Sequence, residues 1–357
     1  MAVLSEEQTM LRDMAREWTS NESPVNAWRK VRDADDGTGY DASVYGEIAQ
    51  MGWSGVIIPE AFGGSDFGWL SLGLVIEELG KTLTSSPLAA SAAAASAIIL
   101  GGSDEQKAKW LSGIASGEIV ATLAVDEGPR HDPATIGTSV SGGKLSGTKA
   151  FVAEGDSAQL FVVAAADGLY LVAGDAAEVS RSRRHLTDFR SHAEVTFDGA
   201  DADKLASGGA DLLDKVLDRA RVLAAAEMLG MAGQAFETTL AYLKQRVQFG
   251  QVLATFQALQ HRMANLFSDI ELMRSAVEGG LAAIDSGGDT RQAALLAKVK
   301  ANEVGHLMSR EMVQLHGGIG MTDEYDAGFY LKRMRVLEAM WGNTSFLRDR
   351  FATLNGY

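Results

Sequence analysis

No cysteine occurs in the chain, and basic residues are in short supply: 32 Lys and Arg stand against 47 Asp and Glu, a formal net charge of −15 at pH 7 over 357 residues. Each shortage removes a class of function. Without a thiol there is no disulfide scaffold, cysteine nucleophile, iron–sulfur cluster or cysteine-based zinc site. Without a basic excess there is no general nucleic-acid or anionic-membrane binder, because both need a basic face. Long apolar runs are missing too. The longest, Leu88 to Leu100, carries two serines among its alanines and falls well short of the roughly 20 residues that span a bilayer. It predicts a buried helix and no membrane insertion. The opening MAVLSEEQTM lacks the basic and apolar segments of an export signal, so the expected location is cytoplasmic.

Generic catalytic motifs are absent as well. The histidines at 131, 185, 192, 261, 306 and 316 form no His-Glu-x-x-His and no i, i+4 helical pair, so no metal site is expected. There is no G-x-x-x-x-G-K-[ST], no G-x-G-x-x-G after a strand and no G-x-S-x-G elbow. The 46% hydrophobic and 22% charged content is that of an ordinary globular chain, too apolar for disorder.

What is present is periodicity. Ser5 and Gln8 form an S-x-x-Q capping box ahead of Leu11, Met14, Ala15 and Trp18 at helical spacing. Further helices are predicted from Asp41 to Gly52, from about Leu70 to Leu79 with Gly80 ending it, through the alanine-rich stretch, and from Ser103 to Ile114. From Ile119 to Phe197 short apolar runs alternate with Gly, Asp and Ser clusters, the texture of a β domain. Beyond Asp211 the helices lengthen. Leu259, Met263, Leu266, Ile270 and Met273 alternate steps of four and three, a bundle seam, and a helix from Thr290 to Leu315 breaks at Gly317–Gly318. The fold class expected is mainly α with a central β domain: an N-terminal helical domain (residues 1–118), a middle β domain (119–205) and a C-terminal helical bundle (206–357).

Longer constellations say more. Arg246-Val-Gln-Phe-Gly250 with Gln251, Phe256-Gln257 and Gln260 resembles the R-x-x-F-G signature of the bundle helices of acyl-CoA dehydrogenases. Gln314-Leu-His-Gly-Gly-Ile-Gly320 resembles the same family's Q-x-x-G-G-x-G. Gly52-Trp53, Pro59-Glu60-Ala-Phe-Gly-Gly64 and Glu77-Glu-Leu-Gly80 match its N-terminal landmarks in order and spacing.

The resemblance implies a flavoprotein in which FAD lies at a subunit interface. A glutamate takes a proton from Cα of an acyl-CoA thioester while hydride leaves Cβ for the flavin. A base within hydrogen-bond reach and donors on the thioester oxygen are what such chemistry asks of the protein, the redox step being the cofactor's. It assigns Arg246, Gln248, Phe249, Gln257, Gln314, Gly317 and Gly318 to the pyrophosphate and adenosine part of FAD, largely a cofactor seated in the neighbouring subunit. An arginine suits a diphosphate, and paired glycines let backbone approach a ligand. The alternatives are a solvated helix arginine and a plain helix end. Asp218 and Arg221 match positions near the acyl-CoA, although Arg221 also suits a helix-to-helix ion pair.

The flavin-ring side departs from the pattern. In place of L-T-E-P-x-x-G-S-D stands Ala124-Val-Asp-Glu-Gly128 followed by Pro129-Arg-His-Asp132. In place of K-x-W-I-T-N-G stands Lys149-Ala-Phe-Val-Ala-Glu-Gly155, with Phe151 for the Trp and Ala153 for the Thr. The catalytic glutamate of Y-E-G-T-S-Q-I-Q-R aligns with Trp341, and the alternative base position ahead of Arg221 holds Ala220. Neither accepts a proton. Glu227, two turns beyond Ala220, is a candidate relocated base or else a structural glutamate paired with an arginine. Glu127 and Glu338 are weaker candidates.

The reading is a base-less subunit of a heteromeric (α₂β₂) acyl-CoA dehydrogenase acting on a bulky, steroid side-chain type of thioester, with an electron-transfer flavoprotein as acceptor. The alternatives are a self-sufficient FAD homo-oligomer that uses Glu227, and a scaffold of the same fold without flavin.

Overall fold

A computed structural model describes residues 3–34, 38–207 and 211–357. In chain order the helices and strands are α1 (Glu6–Asn21), α2 (Val25–Ala34), α3 (Ala42–Gln50), α4 (Trp69–Lys81), α5 (Leu88–Gly101) and α6 (Asp104–Ala115), then β1 (Ala121–Ala124), β2 (Ser139–Ser141), β3 (Lys144–Ala153), β4 (Leu160–Ala165), β5 (Gly168–Ala173), β6 (Val179–Arg183), β7 (His192–Asp201) and β8 (Asp203–Lys204). After these come α7 (Leu212–Gln245), the short strands β9 (Val247–Gln248) and β10 (Gln251–Val252), α8 (Gln257–Ser286), α9 (Thr290–His316), α10 (Ala327–Ala339) and α11 (Thr344–Leu354). The helix–β–helix order is the one expected. No helix of the described residues is long and apolar enough to cross a membrane.

The chain forms two compact units. One comprises Ala27–Leu72 and Ser85–Ala220, the other Met1–Asn26, Gly73–Thr84 and Arg221–Tyr357.

The first unit is built on two four-stranded sheets, in the orders β1-β4-β5-β8 and β2-β3-β7-β6. The only parallel pairing among them is β1 with β4. Their shared core draws Phe161, Val163, Tyr170 and Val172 from one sheet and Leu145, Val152, Val195 and Phe197 from the other. The Phe161 and Phe197 rings meet edge-on at 5.7 Å, the arrangement that suits two ring quadrupoles. Every residue of β4 is buried, which is why Leu160–Ala165 reads as a continuous apolar run and not as an alternation. β3 does not stand out as a strand in the sequence because its buried positions alternate imperfectly. Between Lys149 and Val152 it carries one residue more than its partner β7, a bulge that brings Phe151 to φ 53°.

In the second unit the long helices pack along buried seams, Met263, Leu266, Ile270 and Met273 on α8 among them, as the four-three spacing predicts. The capping box at Ser5 is present, with Ser5 Oγ accepting from Gln8 N at 3.1 Å and Gln8 Oε1 accepting from Ser5 N at 3.1 Å. Gly80 corrects the sequence reading. It does not end its helix, because α4 continues to Lys81. Its role is clearance: a Cβ there would lie 2.4 Å from the Glu227 carbonyl oxygen on α7, and one at Gly230 would lie 1.9 Å from the Glu77 carbonyl oxygen. The two helices cross backbone to backbone, each giving up a side chain at the contact. The acids before Gly80 tie α4 to other helices, Glu77 to Arg274 on α8 at 2.8 Å and Glu78 to Arg16 on α1 at 3.2 Å, and Glu78 also pairs with Lys81 of its own helix at 2.7 Å.

Candidate functional site

At one end of the bundle α7 stops at Gln245 and the chain turns back through a two-residue hairpin. Gln248 pairs with Gln251 across it, and the turn residues Phe249 and Gly250 take φ 54° and 80°, the backbone of a type I′ turn. Arg246 anchors the hairpin at both sides, its N–H donating to Tyr242 O at 2.9 Å and its carbonyl accepting from Leu253 N at 2.8 Å. Phe249 is left 88% exposed, in edge-on contact with Phe256, and Gln257 opens α8 beside it.

The end of α9 reaches the same place. Tyr242 stacks on His316 at 4.3 Å and Tyr325 does so at 4.6 Å. The Tyr242 hydroxyl donates to His316 O at 3.3 Å. A carbonyl can only accept, so His316 Nδ1 carries the proton it gives to Met312 O at 2.7 Å, and Nε2 accepts from the Tyr325 hydroxyl at 2.8 Å. Burial lowers the His316 pKa, the Met312 bond opposing it, and the ring is neutral. It locks the start of the Gly317–Gly318 turn, which the sequence reading did not anticipate. Gly317 has φ 64° and ψ −138°, backbone that essentially only glycine adopts. Gly318 is different: a Cβ there would meet nothing within 4 Å and its φ is not positive. Among the described residues nothing requires residue 318 to lack a side chain.

The structure therefore brings Arg246, Gln248, Phe249, Gln257, Gln314, Gly317 and Gly318 to a single end of the bundle. Among the described residues the side chains of Arg246, Gln257 and Gln314 make no hydrogen bond or ion pair, while Gln248 Nε2 reaches only the neighbouring Val247 O at 2.9 Å. An exposed cation, unpaired amides and a backbone open on its ligand side are a donor set that fits a diphosphate and its nucleoside.

The two positions expected from the resemblance to align with the family's base lie elsewhere. From Gln245 back to Arg221 along α7 is about 36 Å at 1.5 Å per residue. Ala220 is buried on that helix, as is Asp218. Arg221 is fully buried, and its Nε donates to the Trp341 carbonyl at 2.9 Å. Trp341 itself sits in a turn at φ 60°.

Each candidate carboxylate is engaged. Glu227 takes a two-pronged ion pair from Arg333, at 2.7 and 2.9 Å, and Glu338 holds Arg335 at 2.7 Å and His306 at 3.3 Å. Glu127 accepts from Lys149 Nζ at 2.7 Å, from the Thr138 hydroxyl at 2.6 Å and from the backbone N–H groups of Gly137 and Thr138 at 2.7 and 2.9 Å. Burial alone would raise its pKa, but these four donors outweigh it and bring the carboxyl down to about 2. A base so weak takes no α-proton. The loop from 126 to 138 thereby closes on its own polar groups, with Asp126 on His131 at 2.8 Å.

Comparison with known proteins assigns the fold a family. Residues 5–118 match the acyl-CoA dehydrogenase N-terminal domain and residues 207–353 the acyl-CoA dehydrogenase C-terminal domain. The chain belongs to the acyl-CoA dehydrogenase family. Acyl-CoA dehydrogenase IpdE2 of Mycolicibacterium smegmatis is 31% identical over 331 residues, covering 92% of this chain and 93% of the relative. The Tcur3481–Tcur3483 steroid ACAD is similar at 34% identity and TM-score 0.92, covering 98% of each chain. The ChsE4–ChsE5 complex from Mycobacterium tuberculosis shares the fold, at 23% identity and TM-score 0.91 over the whole of both chains. Acyl-CoA dehydrogenases are oxidoreductases of the CH–CH bond of acyl-CoA. Among the described residues no three His, Cys, Asp or Glu side chains are grouped to hold a metal ion.

Proposed function

We propose that this chain is the base-less subunit of a heteromeric, FAD-dependent acyl-CoA dehydrogenase, completing the adenosine side of an FAD whose ring and catalytic glutamate belong to a partner subunit. One contrast carries the reading. The bundle end at Arg246 presents open donors around Gly318, whereas the positions where the family keeps its base hold Ala220 and Trp341. In this assignment the Arg246 guanidinium holds the diphosphate, and Gln248, Gln257 and Gln314 offer amides to it and to the nucleoside. Phe249 packs against the cofactor, and the Gly317–Gly318 backbone lets it approach. FAD, when bound, supplies the hydride acceptor for α,β-desaturation of the thioester. Glu227 is given a structural role, because its carboxylate is already taken by Arg333. Asp218 and Arg221 support the region near the acyl-CoA, Arg221 through the Trp341 turn.

Similarity to the Tcur3481–Tcur3483 steroid ACAD supports a bulky, steroid side-chain type of acyl-CoA as substrate and an α₂β₂ assembly. We take an electron-transfer flavoprotein as acceptor, and the cytoplasm, where acyl-CoA thioesters are handled, as the location. Expression of the chain alone and with a homologue that retains the glutamate tests the reading. Flavin should be weak or absent alone, appear on co-expression and be lost in Arg246→Ala. A yellow, stoichiometric protein from the single chain, bleached by acyl-CoA, would overturn it.

A further inference from the structure

The turn that carries Trp341 is gripped from beneath by three side chains that are almost wholly buried. Helix α10 ends at Ala339, leaving its last carbonyls without helical partners. Lys298 Nζ donates to Leu337 O at 2.7 Å. Asn302, one helical turn beyond Lys298 on α9, donates Nδ2 to Glu338 O and Gly342 O, both at 3.4 Å, and its Oδ1 accepts from Lys298 Nζ at 2.6 Å. Arg221 Nε takes the Trp341 carbonyl at 2.9 Å. Four carbonyls between 337 and 342 are thus held, and every one of the contacts is to backbone. Within the same turn Trp341 and Gly342 have φ 60° and 115°, a conformation a tryptophan adopts only when its surroundings impose it.

We propose that Lys298, with Asn302 and Arg221, is a positioning residue for the turn at Trp341, fixing the backbone of the family's base position whatever side chain stands there. The missing base is then a replaced side chain on an intact mount. The functional weight of this inference rests on the assignment of position 341 as a base position, but its test needs neither FAD nor a partner, so the two stand or fall separately.

The geometry also sets the protonation state. Lys298 has two acceptors among the described residues, Leu337 O and Asn302 Oδ1, which satisfy the two N–H donors of a neutral amine and leave the third proton of an ammonium without one. Arg221 on α7 repels a second charge, and Glu338 on α10 attracts it, so that burial first and Arg221 second bring the lysine down to about 7. The sign follows from linkage. A lysine with a lower pKa in the closed turn than in the open one binds more protons when open, so the closed turn gains stability as pH rises from about 7 toward the ordinary lysine value, and gains nothing below 7.

Hydrogen exchange on the full chain, corrected for intrinsic rates, reads this directly. Protection of the Met340 and Gly342 amides, which donate to Val336 O and Ala339 O, should rise about tenfold per pH unit between pH 7 and 9 and be flat from pH 5 to 7. Lys298→Met should flatten the whole profile, and Trp341→Phe should leave it unchanged, because the grip is on carbonyls. A profile that survives Lys298→Met, or disappears in Trp341→Phe, overturns the proposal. In the unmutated chain the Lys298 side-chain carbon resonances should titrate near pH 7. A midpoint above 9 would overturn it without any variant.

Discussion

Gly230→Ala should destabilise the helical bundle sharply, although alanine is the better helix former. The added Cβ would lie 1.9 Å from the Glu77 carbonyl oxygen and 2.8 Å from its carbonyl carbon. Real Cβ contacts stay beyond about 3 Å, so α4 and α7 would have to part by about 1 Å at their crossing, and backbone cannot rotate aside as a side chain can. Overpacking of a closed core costs about 1–3 kcal/mol, and a clash with main chain belongs at or above the upper end. Alanine's helix propensity returns about 1 kcal/mol, for a net loss of about 2 kcal/mol. Gly233, three residues on along the same helix, is the internal control, because a Cβ there meets nothing within 4 Å. Gly233→Ala should stabilise by about 0.5–1 kcal/mol. Urea unfolding of the two variants followed by far-UV circular dichroism gives the comparison, the transition moving to lower urea in one and to higher urea in the other. Equal shifts, or a Gly230→Ala protein as stable as its parent, would refute the clearance argument.

Arg333→Met removes the two-pronged ion pair from the half-buried Glu227 carboxylate and should cost about 1–3 kcal/mol, whereas the double variant Glu227→Met with Arg333→Met should recover most of that, as thermal unfolding of the three proteins would record. Glu127, held at about 2 by Lys149, Thr138 and the two backbone N–H groups, contributes stability that is complete above the ordinary glutamate value near 4.5 and is lost as pH falls toward 2. Denaturation at pH 7 and pH 3 should show a smaller acid loss in Glu127→Gln than in the parent. Phe249→Ala should leave the melting temperature of the isolated chain within about 1 °C, because the ring is 88% exposed, yet lower FAD retention in the co-expressed complex. Equal flavin content in the two complexes would remove Phe249 from the cofactor site.

Much of the architecture was legible because its signals are local and periodic. The capping box at Ser5, the helix start at Ser103, the four-three seam of α8 and the apolar run of β4 each encode their element within a few residues. Gly80 was misread because a glycine after a leucine-rich helix looks the same whether it stops the helix or clears a path for another one. Only the position of Gly230 on a distant segment tells the two apart. The candidate cofactor residues were legible as a motif, yet what brings them together, the stacking of Tyr242 and Tyr325 on His316, joins elements far apart in sequence. Lys298 went unnoticed for a different reason. Lysine is almost never fully buried, so its charge in a sequence points to solvent. A signal was available: Ala294, Ala297, Ala301, Gly305 and Met308 trace the buried face of α9, and Lys298 falls within that stripe.

The roughly 36 Å of helix α7 from Arg221 to Gln245 also bears on how a subunit of the kind proposed arises. Substitutions at sites separated by more than about 10 Å, with no shared partners, act on stability almost independently. A chain in this family can therefore accumulate changes at the turn of Trp341 without disturbing the diphosphate-side donors, and the reverse holds as well. Under the function proposed above, one copy after a duplication is free to abandon proton abstraction while selection still acts on the end assigned to its sibling's cofactor. The rigid rod between them separates the two histories.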